Sequence, residues 1–231
     1  KLRKLWVSMS GGRTSSYMGI KLKEEYSDRY DFKFIYANTG LEDEQTLIFL
    51  NEIDCRFDLN ITWVEGDVSS KKGVSTGHKI TNFQDACRDG RIFEDMIKVY
   101  GIPNQAYPHC TRELKINPMN SYIKSIGWKN EFRAIGIRAD EMNRVGTGAA
   151  ADRKIYPLVD FFPADKQDVL DYFKGRPYDL KLPEYRGNCV TCWKKSDTKI
   201  IRLINDDPKS FDFFAQMEKE NGLAGHNVDG N

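Results

Sequence analysis

Hydrophobic and polar positions switch between two periods through the first half of the chain. Leu5–Met9 is a short apolar run suited to a buried parallel strand. Ser10-Gly11-Gly12-Arg13-Thr14-Ser15-Ser16 is too rich in glycine and hydroxyls to prolong it, and from Ser16 to about Tyr26 the apolar Tyr17, Ile20 and Leu22 return on a helical period. Phe32–Ala37 reads as a second strand, Thr46–Phe57 as a helix and Ile61–Glu65 as a third strand. The alternation predicts an α/β fold: an open, mostly parallel Rossmann-type sheet flanked by helices, with ligands beyond the carboxyl ends of the strands. The Gly-Gly turn and Asn38-Thr39-Gly40 both fall at such ends.

Beyond this the pattern loosens. Asp67 to about Asp85 is polar without a period, a loop over the site or a solvated connection. Arg91–Tyr100 predicts a helix ended by Gly101-Ile102-Pro103, and Asn117 before Pro118 predicts an N-cap for a helix over Pro118–Ile126. His109, Cys110, Arg112 and Lys115 lie just before it. Phe132–Ile137 is a strand, with Arg138–Arg144 at its carboxyl end. Gly146–Ala151 is a small-residue, flexible loop, Ile155–Val159 a short strand, and Ala164–Phe173 a helix with Asp165 in its first turn. Pro177–Pro183 is irregular, Gly187–Lys195 a tight knuckle, and Asp197–Asn205 and Phe211–Glu220 two closing helices. The expected organisation is a nucleotide-binding domain over residues 1–175, a C-terminal knuckle and helices over 176–221 packed on it, and a disordered tail over 222–231.

Length and charge narrow the class. The 231 residues suffice for a full core, and Lys+Arg 35 against Asp+Glu 34 makes no case for nucleic-acid binding by overall charge. No run approaches the about 18 apolar residues of a membrane span, and the start lacks a signal-peptide core, so no membrane partner and a cytoplasmic location are expected. Five cysteines without a regular framework then read as thiols or metal ligands rather than disulfides.

The first turn carries the chemistry. Adjacent glycines let main-chain N–H groups approach a ligand, and the helix start behind them presents unpaired donors and partial positive charge, which suits phosphate. The turn is not the GxxxxGK[ST] loop. Arg138 and Arg144, flanking Asp140-Glu141, suit further anionic groups, and Asp140 or Glu141 suits Mg²⁺; the alternative is a surface ion-pair cluster.

With Ser10–Ser15, Asn38-Thr39-Gly40, Cys110-Thr-Arg-Glu-Leu-Lys115, Gly136-Ile-Arg138-Ala-Asp140-Glu141 and Tyr156-Pro157-Leu158 in one order, the chain resembles the PP-loop ATP pyrophosphatase superfamily, of adenine nucleotide alpha hydrolase-like fold. Within it, the likeness is to the phosphoadenosine-phosphosulfate reductase-like branch, which includes DNA phosphorothioation enzymes and phage proteins. The family loop is commonly SGGxDS, and here Thr14 stands in place of Asp. The resemblance implies that Ser10, Gly11, Gly12, Arg13, Thr14 and Ser15 wrap the phosphates of ATP or an adenylyl-sulfate, and that Asn38, Thr39 and Gly40 border the adenosine. It implies that Lys115, Gly136, Arg138 and Arg144 complete the pocket, and that Ser10, Arg138, Asp140 and Glu141 serve catalysis with Mg²⁺.

A classical reductase of this branch carries its reactive cysteine in the C-terminal tail, whereas this tail, LAGHNVDGN, has none. The resemblance therefore points to an enzyme that adenylates an acceptor, releases pyrophosphate and transfers sulfur, in the manner of nucleic-acid thiolation. Alternatives are reduction of an adenylyl-sulfate by an external thiol and a non-catalytic adenine-nucleotide module. Partners implied are the nucleotide, a nucleic acid, with Lys71, Lys72, Arg88, Arg91 and Trp193-Lys194-Lys195 as candidate contacts, a sulfur-donor protein, and a second copy in a homodimer.

Cys189-Val-Thr-Cys192 has the spacing of a metal knuckle. By resemblance, Cys110, Cys189 and Cys192 ligate a [4Fe–4S] cluster, with Cys87 as the candidate fourth ligand. The alternatives are structural Zn²⁺ on Cys110, His109 and the C-x-x-C pair, a Cys189–Cys192 redox pair, and unconnected buried thiols. Cys55 is expected in the core.

Overall fold

The computed structural model describes residues 2–145 and 152–222. The expected loop at 146–151 and the expected tail from 223 onward lie outside them. Six strands form one sheet in the order β4-β3-β2-β1-β5-β6: β1 Arg3–Met9, β2 Tyr30–Asn38, β3 Thr62–Asp67, β4 Gly77–Thr81, β5 Phe132–Ile135 and β6 Lys154–Ile155. β1 runs parallel to β2 and β5, and β5 parallel to β6. The mostly parallel α/β sheet expected from the alternation is present.

The chain divides into two compact units. The first comprises Lys1–Tyr36, Gln45–Thr62 and Gly127–Lys181; the second comprises Ala37–Glu44, Trp63–Ile126 and Leu182–Asn231. Each is discontinuous, so the contact pattern does not divide the chain at residue 175. In the first unit, Leu5, Val7 and Met9 of β1 face helix α1 (Arg13–Tyr26), where Gly19 lies so close that an added Cβ would stand 3.2 Å from Met9 Sδ. Met18, Ile20 and Leu22 of α1, and Leu47, Leu50 and Ile53 of α2 (Glu44–Phe57), are buried. In the second unit, α3 (Arg91–Tyr100) buries Ile92, Phe93, Met96 and Ile97 in a core with Leu114 and Met217. Among the described residues no helix is long and apolar enough to cross a membrane.

Four expectations are corrected. The polar stretch after Asp67 contains β4, antiparallel to β3 from Trp63↔Thr81 to Asp67↔Gly77. Asn117 is no cap, because the helix begins earlier: α4 (His109–Thr111) passes into a π turn over Arg112–Ile116 and then α5 (Asn117–Ser125). The Asn117 N–H reaches back to the Arg112 carbonyl, and this wider turn leaves room for the Pro118 ring behind it. The strand expected over Ile155–Val159 stops at Ile155; Pro157 has no N–H for a ladder and instead opens a helical turn, α6 (Pro157–Asp160). Asp165 stands one place outside α7 (Lys166–Phe173), as a cap in reciprocal hydrogen bonds with Asp168. The chain ends in α8 (Asp197–Asp206) and α9 (Asp212–Asn221).

Candidate functional site

In the first unit, β1 delivers the chain to a turn that only glycine fits. Gly11 has φ +76°, and a Cβ there would lie 2.5 Å from Thr46 Cγ2. Ser15 Oγ accepts from the Ser10 N–H at 3.0 Å and lies 2.9 Å from Ser10 Oγ, closing the turn on itself. α1 begins at once, at Arg13, with no side-chain cap and no acidic residue in its first turn. Its leading N–H groups are thus left for an anion. Gly136 lies against the turn, where a Cβ would be 3.3 Å from Ser15 Cα.

Two arginines reach this turn with different partners. Arg138 Nη1 donates to Thr14 Oγ1 at 3.2 Å, joining residues 124 positions apart in sequence. Its Nε and Nη2 donate to Asp140 at 2.9 and 3.1 Å, and Arg144 Nη1 donates to Glu141 at 2.5 Å. Asp140 and Glu141 are therefore ion-paired, and the Arg138 guanidinium holds the Asp140 carboxyl below the usual range. Arg13 is tied down, its Nε donating to Asp179 and its Nη2 to the Leu180 carbonyl, both at 2.6 Å.

In the second unit, Asn38-Thr39-Gly40 braces the cysteines. Asn38 is fully buried; its amide donates to Glu65 Oε1 at 2.7 Å and to the Cys87 carbonyl at 2.9 Å, while its Oδ1 is buried without a partner. Gly40, at φ +83°, passes so close to Cys87 that a Cβ would meet Sγ at 2.8 Å. Thr39 donates its N–H and hydroxyl to Glu42 and lies 3.2 Å from Cys189 Sγ, which is itself 3.5 Å from Glu42 Oε1.

Cys87, Cys110, Cys189 and Cys192 share one apolar cluster with Phe93, Leu114 and Met217. Lys115 is half-buried beside them, its ammonium held above the ordinary range first by Cys189 and then by Glu42, Cys192 and Cys110. Burial, however, pushes the Cys189 thiol up to about 12, with Glu42 adding to the rise. At neutral pH Cys189 is therefore a thiol. Among the described residues no three His, Cys, Asp or Glu side chains stand together as ligands of one metal ion. His109 stacks on Tyr107 at 5.9 Å, and burial holds its pKa low.

Sequence reasoning placed Lys115 in the nucleotide pocket; the groups that act on its ammonium in the structure are Cys189, Glu42, Cys192 and Cys110. Sequence reasoning missed Glu42, two residues past the Asn-Thr-Gly turn, and Glu113, a carboxylate bonded to Thr76 and Asn117 inside the π turn. Cys55, expected in the core, is exposed, because the buried stripe of α2 runs through Thr46, Leu47, Phe49, Leu50 and Ile53 and leaves it outside.

No protein-family profile matches the chain. It is 34% identical over 205 residues to the uncharacterized nin region protein ORF290 of Escherichia phage lambda, across 87% of this chain and 69% of that protein. The chain belongs to the ORF290 family. The chain is also 22% identical over 227 residues to the uncharacterized protein MJ0973 of Methanocaldococcus jannaschii, across 94% of this chain and about half, 48%, of that protein. Among solved structures, the U34-tRNA thiolase NcsA of Methanococcus maripaludis with its [4Fe-4S] cluster superposes with a TM-score of 0.50 at 16% identity, over 95% of this chain and 73% of the thiolase. That likeness is one of fold. A phosphate complex of phosphoadenylyl-sulfate reductase from Candida auris matches 73% of this chain and 70% of its own, with a TM-score of 0.43 at 15% identity.

Proposed function

We propose that this ORF290-family chain is a PP-loop-type enzyme that binds ATP, adenylates an acceptor and exchanges the activated oxygen for sulfur. The observation that carries the reading is the Arg138–Thr14 hydrogen bond at the Gly11-Gly12 turn, in front of the uncapped start of α1. Main-chain N–H groups there would take phosphoryl oxygens, and Arg138, held in place by Asp140, would steady the charge that builds as the chain of phosphates breaks. An acceptor oxygen attacks the α-phosphorus, the bond between the α-phosphorus and the bridging oxygen breaks, and pyrophosphate leaves. A hydrosulfide-level sulfur then forms a bond to the activated carbon, and AMP leaves with the oxygen, without net oxidation. The protein's part is positioning and charge stabilisation. Mg²⁺ at Asp140 or Glu141 would compete with Arg138 and Arg144 for the same oxygens.

The second unit holds the soft sulfurs that a [4Fe–4S] cluster takes, in an apolar setting with the half-buried Lys115 ammonium beside them, although among the described residues no three of them stand close enough together to hold one metal ion. Cys110, Cys189 and Cys192 would hold it, with Cys87 as the candidate fourth ligand. Such a cluster would supply an iron able to carry the sulfide. Phage and tRNA-thiolase likenesses make a nucleic acid the acceptor of choice.

The test is pyrophosphate release from ATP upon adding candidate acceptors, with anaerobically purified protein analysed for iron, sulfide and zinc. Acceptor-dependent pyrophosphate from an iron- and sulfide-containing protein is the expected result. A colourless, zinc-loaded protein overturns the sulfur step. ATP affinity unchanged in folded Ser10→Ala/Gly12→Val protein overturns the pocket.

A further inference from the structure

Arg133 is a half-buried cation for which the proposed chemistry has no use. It lies opposite Trp6 in the β1–β5 register, so its side chain shares the face of β1 that carries Trp6 and Ser8 and is turned away from α1. The guanidinium stacks over the Trp6 ring at 4.7 Å, and Nη2 donates to Ser8 Oγ at 3.0 Å. Nε is buried without a partner, and among the described residues no carboxylate pairs with the side chain. Burial brings its pKa down to about 10, and the one interaction that opposes the fall is with Tyr156.

A guanidinium has five N–H donors in a fixed fork. One contact to a hydroxyl and one to an indole face leave much of this fork open. The side chain also has a direction. Its backbone is level with Trp6, but its tip is at Ser8, two residues or about 6.6 Å further along β1 toward the turn. Ser10, the first residue of the turn, is two positions beyond. The guanidinium thus leans along β1 toward the Ser10–Ser15 turn, on the face away from α1.

We propose that Arg133 forms a second oxyanion subsite below the Ser10–Ser15 turn, on the β1 face opposite α1, and takes phosphoryl oxygens of the bound molecule. The inference rests on the nucleotide reading of that turn and adds a residue to it. Ser8 fixes one arm of the fork, and the ligand supplies the missing negative charge.

The probe is inorganic pyrophosphate, titrated calorimetrically into wild type, Arg133→Met, Arg133→Lys and Ser10→Ala/Gly12→Val proteins, with thermal melts of each. Arg133→Met should weaken binding roughly ten- to hundred-fold, as for a lost charge-assisted hydrogen bond. Arg133→Lys should fall between, because it keeps the charge and loses the fork. The ligand-free Arg133→Met protein should melt no lower than wild type, since it sheds a half-buried charge that no carboxylate pairs. A purely structural Arg133 gives the reverse, a lower melting point with pyrophosphate affinity intact, and overturns the proposal. If only the turn variant loses affinity, Arg133 is refuted and the turn stands; if only the Arg133 variants lose it, the subsite stands and the turn reading fails. No binding to wild type overturns both. Should Arg133→Met not fold, the Arg133 Nε–H resonance of the wild-type protein decides: a shift on adding pyrophosphate supports the subsite, and an unmoved resonance overturns it.

Discussion

Alanine at position 11 would face two separate penalties. Gly11 has φ +76°, and the left-handed region costs an L-residue roughly 1–2 kcal/mol. The new methyl would also stand 2.5 Å from Thr46 Cγ2, and Thr46 is buried at 2% exposure in the first turn of α2, with little room to yield. Forcing an extra carbon into such a site costs roughly 1–3 kcal/mol. Gly11→Ala should thus lose about 2–5 kcal/mol, which at this chain length lowers Tm by roughly 4–20 °C. Thr46→Ser removes the offending methyl and on its own should cost about 1 kcal/mol. The double variant keeps the backbone strain and sheds the clash, so a double-mutant cycle by urea denaturation should show about 1–3 kcal/mol of relief beyond additivity. Additivity within about 0.5 kcal/mol would refute the close approach, and a Gly11→Ala protein as stable as wild type would refute the left-handed turn itself.

Three further outcomes follow from particular side chains. Burial alone would raise the pKa of Glu113, but hydrogen bonds from Thr76, Arg112 and Asn117 outweigh it and leave the carboxyl below its ordinary value of 4.5. The stability it contributes is present above pH 4.5 and is lost as pH falls through the folded-state pKa; Glu113→Gln should flatten that segment of a urea-midpoint profile, and an unchanged slope would count against it. Lys115→Met should lower the iron and sulfide retained after anaerobic purification while the far-ultraviolet spectrum stays native, and full retention would remove Lys115 as the offsetting charge. Arg138→Lys loses the fork that spans Thr14 and Asp140, so ATP affinity should drop by roughly tenfold; equal affinity by equilibrium dialysis would contradict the arrangement.

The parts of the fold that announced themselves in sequence were those whose own residues carry the period. Leu5–Met9 is apolar but for Ser8 because β1 lies inside a parallel sheet, and Arg91–Tyr100 shows its buried stripe outright. β4 was silent because it is an edge strand: Gly77-His78-Lys79-Ile80-Thr81 leaves Ile80 66% exposed, and its place is set by pairing with β3. The helix start at His109 was hidden because Asn117-Pro118 is a sound cap signal, overridden by the preceding π turn. In the site, the Gly-Gly turn and the Arg138 segment were legible as motifs. That Lys115 belongs with Cys110, Cys189 and Cys192 depends on bringing together segments some 75 residues apart, which no local pattern records.

The π turn has a consequence for how the sulfur region tolerates change. Each residue of a regular helix advances the path by about 100°, so a single extra residue between two points re-aims everything downstream by that much. Cys110 lies before the Arg112–Ile116 turn and Lys115 within it. Shortening this segment by one residue would restore an ordinary helix, yet would swing the ammonium a quarter-turn from the thiols. The placing of Lys115 against the cysteines is thus set by a count of residues as much as by their identities.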